Sequence, residues 1–259
     1  MVYNDKEKAN LLNEYFCSIS SVDDTDLNTP SVTPRTNSFL SDFIITEQDI
    51  KDTLKSLKIG NACCNDIISH QMLKGTADYV YKPLLILFNY SLKSGTFSTQ
   101  WKLARVVASF QKDDKSKPSN YRPISLLSCV GKVMEWVVYK HIYNYILEHS
   151  LLYAYQSGFL KGHSTVYQLL EIYHNACQYL NKELSSIIIS CNLSKAFDRV
   201  WHIGFMLKLR SYGIFGKVLN WVKDYISNRQ QVVFINNETS NYGDIKAGIP
   251  QGSDLEPYY

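Results

Sequence analysis

The stretch Ser186-Ile187-Ile188-Ile189-Ser190-Cys191-Asn192-Leu193-Ser194-Lys195-Ala196-Phe197-Asp198-Arg199-Val200 decides how the rest of the chain is read. Its β-branched run, Ile187 to Ile189, is short and apolar enough to predict a fully buried central strand. The polar residues that follow end that strand. Asp198 then stands past the expected strand end, where a carboxylate suits a structural or capping role.

Upstream, Ser164 to Asn181 carries Leu169, Leu170, Tyr173 and Cys177 at helical spacing. Residues 129–149 give a stronger helix through Val130, Val133, Met134, Val137, Val138, Ile142 and Ile146. Ala104 to Phe110 reads as a short strand leading into a polar turn, Gln111 to Asn120. That turn mixes Lys112, Lys115 and Lys117 with Asp113 and Asp114, so it suits a solvated hairpin tip or a phosphate contact. Ala77 to Lys93 forms a helix whose buried face is Leu84, Leu85, Phe88 and Leu92, with Gly95 fitting its end and Pro83 either kinking it or marking its first turn. Thr46 with Asp49 suggests an N-cap for a helix running to about Lys58. Residues 5–20 read as a short helix through Ala9, Leu12, Tyr15 and Phe16, and residues 21–42 as a polar linker.

Downstream, helices over about 201–211 and 216–227 lead to a strand, Gln230 to Ile235, whose Asn236-Asn237 exit suits a hairpin turn. The order of elements predicts an α+β fold with a mainly antiparallel sheet.

The chain has 259 residues, of which 45% are hydrophobic and 20% charged, so it can bury a substantial core. A net charge of +3 is too small a surplus to announce nucleic-acid binding by itself. The six cysteines, Cys17, Cys63, Cys64, Cys129, Cys177 and Cys191, show neither a secreted disulfide spacing nor a repeated C-x-x-C metal pattern, so reduced, intracellular thiols are expected. No segment supplies the roughly 18 consecutive apolar residues of a membrane span.

Four blocks stand in a fixed order: Asn120-Tyr121-Arg122-Pro123-Ile124-Ser125-Leu126-Leu127; Gln156-Ser157-Gly158-Phe159 with Gly162-His163-Ser164-Thr165; Asn192 to His202; and Ala247 to Ser253. Together they resemble the reverse transcriptase domain of non-LTR retrotransposons, in particular the jockey-like and related elements of animals. The resemblance covers nearly the full chain. It implies a right-hand polymerase fold with fingers and a partial palm: an N-terminal helix and linker over 1–42, a helical lead-in over 43–94, fingers over 95–185 and palm from 186 to 259. It also implies an RNA template, a DNA primer, deoxynucleotides and Mg²⁺ held by palm carboxylates. It implies no membrane and no particular protein partner, and by analogy a nuclear location.

On that resemblance Arg122 meets the incoming triphosphate, Phe197 lies under the sugar, and Gln251 and Gly252 help place the nucleotide. Lys112, Lys115, Gln156, Gly158 and Lys161 fall on template or phosphate contacts. Leu160 stands where the family usually has arginine. His163 and His202 carry no catalytic pattern.

Two departures matter most. The family opens its third block with a metal-binding aspartate, and here that place is Asn192, which brings no charge to a cation. The family's later aspartate pair is expected after the fourth block, and the sequence given stops at Tyr259, six residues past Ser253. Asp254 and Glu256 also replace a usual apolar residue and glycine. The expectation is a catalytically inactive, incomplete reverse transcriptase domain with no intact metal site, the alternative being a nonenzymatic nucleic-acid-binding remnant.

Overall fold

Local chemistry sets most of the helix boundaries. The computed structural model describes residues 4–24, 28–60 and 68–252. Cys63, Cys64, Asp66, Ser253, Asp254 and Glu256 lie outside the described residues. Helix α1 (Asp5–Ile19) starts at Asn4, whose side chain accepts from the Glu7 amide. Helix α2 (Glu47–Ser56) carries a reciprocal capping box, with the Asp49 amide donating to Thr46 Oγ1 at 3.2 Å and the Thr46 amide to Asp49 Oδ2 at 3.0 Å. A short helix, α3 (His70–Gly75), precedes α4 (Ala77–Ser94). Pro83 lies inside α4, neither starting nor ending it, and Gly95 closes it at φ 67°.

Strands β1 (Leu103–Phe110) and β2 (Tyr121–Leu126) form an antiparallel hairpin, with Phe110 opposite Tyr121 and Val107 opposite Ile124. The chain then enters α5 (Cys129–Glu148), α6 (Thr165–Leu180), α7 (His202–Ser211) and α8 (Gly216–Ile226). It ends in β3 (Arg229–Ile235), β4 (Glu238–Thr239) and β5 (Gly243–Ile245). The sheet order is β2-β1-β3-β4, with β5 also pairing β3; β1 and β3 are parallel and the other pairs antiparallel. This is a mixed α and β fold with an open sheet.

Two cores hold it. In the larger, Phe88, Leu92, Val133, Met134, Val137, Trp221 and Ile226 join α4, α5 and α8, with Phe97 edge-on to Trp101, Trp221 and Tyr225. In the smaller, Ala9, Leu12 and Phe16 of α1 cover Ala104, Val106 and Val233 on one face of the sheet.

One expectation fails outright. Ile187, Ile188 and Ile189 form no strand and are 88%, 69% and 82% exposed. A strand needs a ladder partner, and both interior strands are already flanked, β1 by β2 and β3 and β3 by β1, β4 and β5, while the β2 edge meets Gln251 through the Ser125 amide. The helix expected over Ser164 to Asn181 is present as α6. None of its residues is buried, and Leu169, Leu170 and Tyr173 face solvent because no described element packs over them.

Candidate functional site

The second half of the block that opens at Ser186 is fixed by bonds from far away in sequence. Residues 194–199 turn, and the segment 247–252 runs beside them. The Ile249 amide donates to Phe197 O at 3.0 Å and the Gly248 amide to Val200 O at 2.9 Å. On its other side, Gln251 O accepts from the Ser125 amide of β2 at 3.2 Å, and the Ala247 amide reaches Ser20 O at 2.9 Å. Gly248 permits this approach. It has φ 79°, and a Cβ there would sit 2.5 Å from Asp198 O.

Three side chains from three segments meet where these strands of chain converge. Arg122 Nε donates to Gln251 Oε1 at 2.8 Å, and Gln251 Nε2 donates to Asp198 Oδ1 at 2.7 Å. Arg122 is exposed, and among the described residues no hydrogen bond engages its two terminal nitrogens. Asp198 is buried. Burial pushes its carboxyl above the ordinary carboxylate range, against the opposing pull of the Gln251 bond and of the Lys195 and Arg122 charges.

Neighbouring contacts brace the turn. Lys195, at φ 56°, donates from Nζ to Tyr15 Oη of α1 at 2.6 Å and lies 4.7 Å from that ring's centre. His202 Nε2 lies 2.8 Å from Gly248 O; burial lowers its pKa and the carbonyl partly restores it. The neutral ring with its proton on Nε2 therefore suits the contact. Phe197 is half-buried against the larger core and meets Phe159 edge-on at 6.1 Å.

The other expected site residues are more scattered. Gly252, at φ 103°, sits against Ser125 O. Lys112 and Lys115 are exposed on the hairpin tip, where Lys115 Nζ stands 5.4 Å from the Phe110 ring. Gln156 Nε2 turns back to Gly158 O at 3.2 Å, and the Lys161 amide, not its side chain, is held by Tyr143 Oη at 3.3 Å. Phe159 links that block to the Phe197 turn. Asn192 lies on exposed chain outside any element.

Asp198, Lys195 and Tyr15 are the participants that sequence reasoning did not place here. No local periodicity could have paired residues that are 53 or 180 positions apart. Position 192 offers a neutral amide, and Asp198 is engaged by Gln251 and lies near the Lys195 and Arg122 charges. Among the described residues no group of three or more His, Cys, Asp or Glu side chains is placed to hold a metal. Among them, too, no helix is long and apolar enough to cross a membrane.

Residues 111–259 match the family model described as "Reverse transcriptase (RNA-dependent DNA polymerase)". The chain is 30% identical over 221 residues to "Probable RNA-directed DNA polymerase from transposon BS" of Drosophila melanogaster, covering 82% of this chain and 24% of that protein. It is 28% identical over 216 residues to "RNA-directed DNA polymerase from mobile element jockey" of the same species, covering 82% and 23%. With the type-1 retrotransposable element R1 Pol polyprotein of Bradysia coprophila it shares 24% identity over 219 residues, covering 81% and 20%. The chain thus spans about a quarter of the length of the curated relatives it matches most fully. It belongs to the reverse transcriptase (RNA-dependent DNA polymerase) family, and its resemblance within it is to the domain of non-LTR retrotransposons such as the jockey, R1 and R2 elements.

Proposed function

We propose that this chain recognises nucleotide and primer-template as part of a reverse transcriptase but does not itself add nucleotides. The observation that carries this reading is a contrast: Arg122, Gln251 and Asp198 are joined by two hydrogen bonds, while position 192, earlier in the same block of sequence as Asp198, holds an exposed, uncharged amide. A guanidinium held at Nε, with its terminal nitrogens directed outward, suits a phosphate. Phe197, on the adjoining turn, suits the sugar, and Gly252 allows close approach beside Gln251.

Residues 95–185 then serve as fingers and residues 186–259 as palm, with residues 1–42 and 43–94 leading in. Lys112 and Lys115 offer backbone contacts from the hairpin tip, and Gln156, Gly158 and Lys161 a template-side surface. The partners on this reading are an RNA template, a DNA primer and deoxynucleotides. Mg²⁺ belongs to the family's chemistry, but the donors at this site give it no productive place.

Loss of charge at position 192 bears directly on rate, since each roughly 1.4 kcal/mol of lost transition-state stabilisation is tenfold. RNA-templated primer extension in Mg²⁺ or Mn²⁺ tests the reading. The purified chain should bind primer-template and leave the primer unextended. Robust extension that is lost in Asn192→Ala would defeat it.

A further inference from the structure

Asp198 holds a carboxylate in a place that disfavours its charge, and no ion pair compensates. Among the described residues no cation lies within ion-pair distance of it, although three are near. Lys195 is engaged by Tyr15, and Arg122 by Gln251. Arg229 lines the same small cavity of about 30 Å³ but gives its terminal nitrogens to the Tyr225 and Trp101 carbonyls. Burial outweighs these neighbours and raises the Asp198 pKa. A carboxylate kept at such a cost is a candidate for a role other than stability.

The geometry supplies that role through the two unlike ends of the Gln251 amide. An ionised carboxylate only accepts hydrogen bonds, so it selects the orientation that turns Nε2 toward Asp198. Oε1 must then face Arg122, whose Nε–H only donates. We propose that Asp198 is a positioning residue for Arg122: by fixing the Gln251 amide it holds the Arg122 Nε–H, leaving the terminal nitrogens of the guanidinium for a phosphate group of nucleotide or primer-template. The consequence for binding rests on the function proposed above. The hydrogen-bonded relay itself does not.

Asp198→Asn is the decisive variant. It keeps an acceptor and the side-chain shape, but its own amide can turn either end toward Gln251, so the carboxylate's share of the selection is lost and only the Arg122 Nε–H still orients the Gln251 amide. The Arg122 Nε–H resonance, assigned by its disappearance in Arg122→Lys, should exchange slowly with solvent in the unliganded chain. Its exchange should be roughly tenfold faster in Asp198→Asn and faster still in Asp198→Leu. The thermal midpoint of Asp198→Asn at pH 7 should equal or exceed that of the parent, which separates this role from a merely structural one. Unchanged Arg122 Nε–H exchange in folded Asp198→Asn overturns the proposal, whatever Asp198→Leu does.

A second readout keeps the two proposals apart. Fluorescent RNA–DNA primer-template should bind Asp198→Asn about three- to tenfold more weakly than the parent, and Asp198→Asn should cost nothing further in an Arg122→Ala background. If the parent chain does not bind primer-template, the proposed function fails while the exchange result still decides the relay. If it binds and the exchange is unaltered, the relay fails and the function stands.

Discussion

Residues 186–193 and 197–202 belong to one block of sequence and meet opposite fates in the fold. The first is the more apolar, yet Ile187 to Ile189 lie exposed with no ladder partner among the described residues. The second is more polar, yet Asp198 is buried and Phe197 and Val200 accept backbone bonds from residues 248 and 249. Long-range partners, not apolarity, decide which half is fixed. On the proposed function the same division separates recognition from chemistry: the half that is held carries Asp198 with its contacts to Gln251 and, through it, Arg122, and the half that is not carries Asn192.

The largest effect should come from breaking the anchor. Gly248→Val places a branched side chain at φ 79° against Asp198 O and should cost about 3 kcal/mol in denaturant unfolding. A loss below about 1 kcal/mol would mean that the 247–252 segment does not hold the turn. Tyr15→Phe removes only the acceptor of the Lys195 bond, and a loss of about 1 kcal/mol is expected from the same measurement.

The Asp198 charge gives a subtler signature with a definite sign. Burial raises its folded pKa above the ordinary carboxylate value, so the folded state binds the proton more tightly than the unfolded state. The resulting stability is present below the unfolded pKa and lost as pH rises through the folded one. Asp198→Asn should therefore flatten the fall in stability above pH 3.8, seen as a parent-minus-variant difference that declines with rising pH. A difference that grows with pH would reverse the assignment. Smallest of all, Ile188→Ser should change stability by no more than about 0.5 kcal/mol. A loss of 2 kcal/mol or more would show that the exposed half has a partner after all.

What the sequence made legible follows the range of the interactions involved. The Thr46–Asp49 capping box and the Gly95 helix end depend on residues a few positions apart, and both are present. So is the hairpin exit at Asn236-Asn237, with Ile235 paired to Glu238. Ile187 to Ile189 form no strand because a β-branched run states only a preference, while a strand requires a partner to pair with, and no described strand pairs with these residues. For α6, periodicity identified the helix but could not supply a surface to cover Leu169 and Leu170. At the site, resemblance named Arg122 and Gln251 separately. Their bond spans 129 positions, and the part played by Asp198 depends on that meeting.

On the proposed function, the Arg122–Gln251–Asp198 contacts suffice to recognise primer-template without a metal-binding charge at position 192. Fluorescence anisotropy of an RNA–DNA primer-template, titrated with parent and Arg122→Ala chains in EDTA over a range of salt, tests it most directly. Binding should persist without divalent metal, weaken as salt rises and fall several-fold in Arg122→Ala. Equal affinity for the two chains, or binding that appears only when Mg²⁺ is restored, would contradict it.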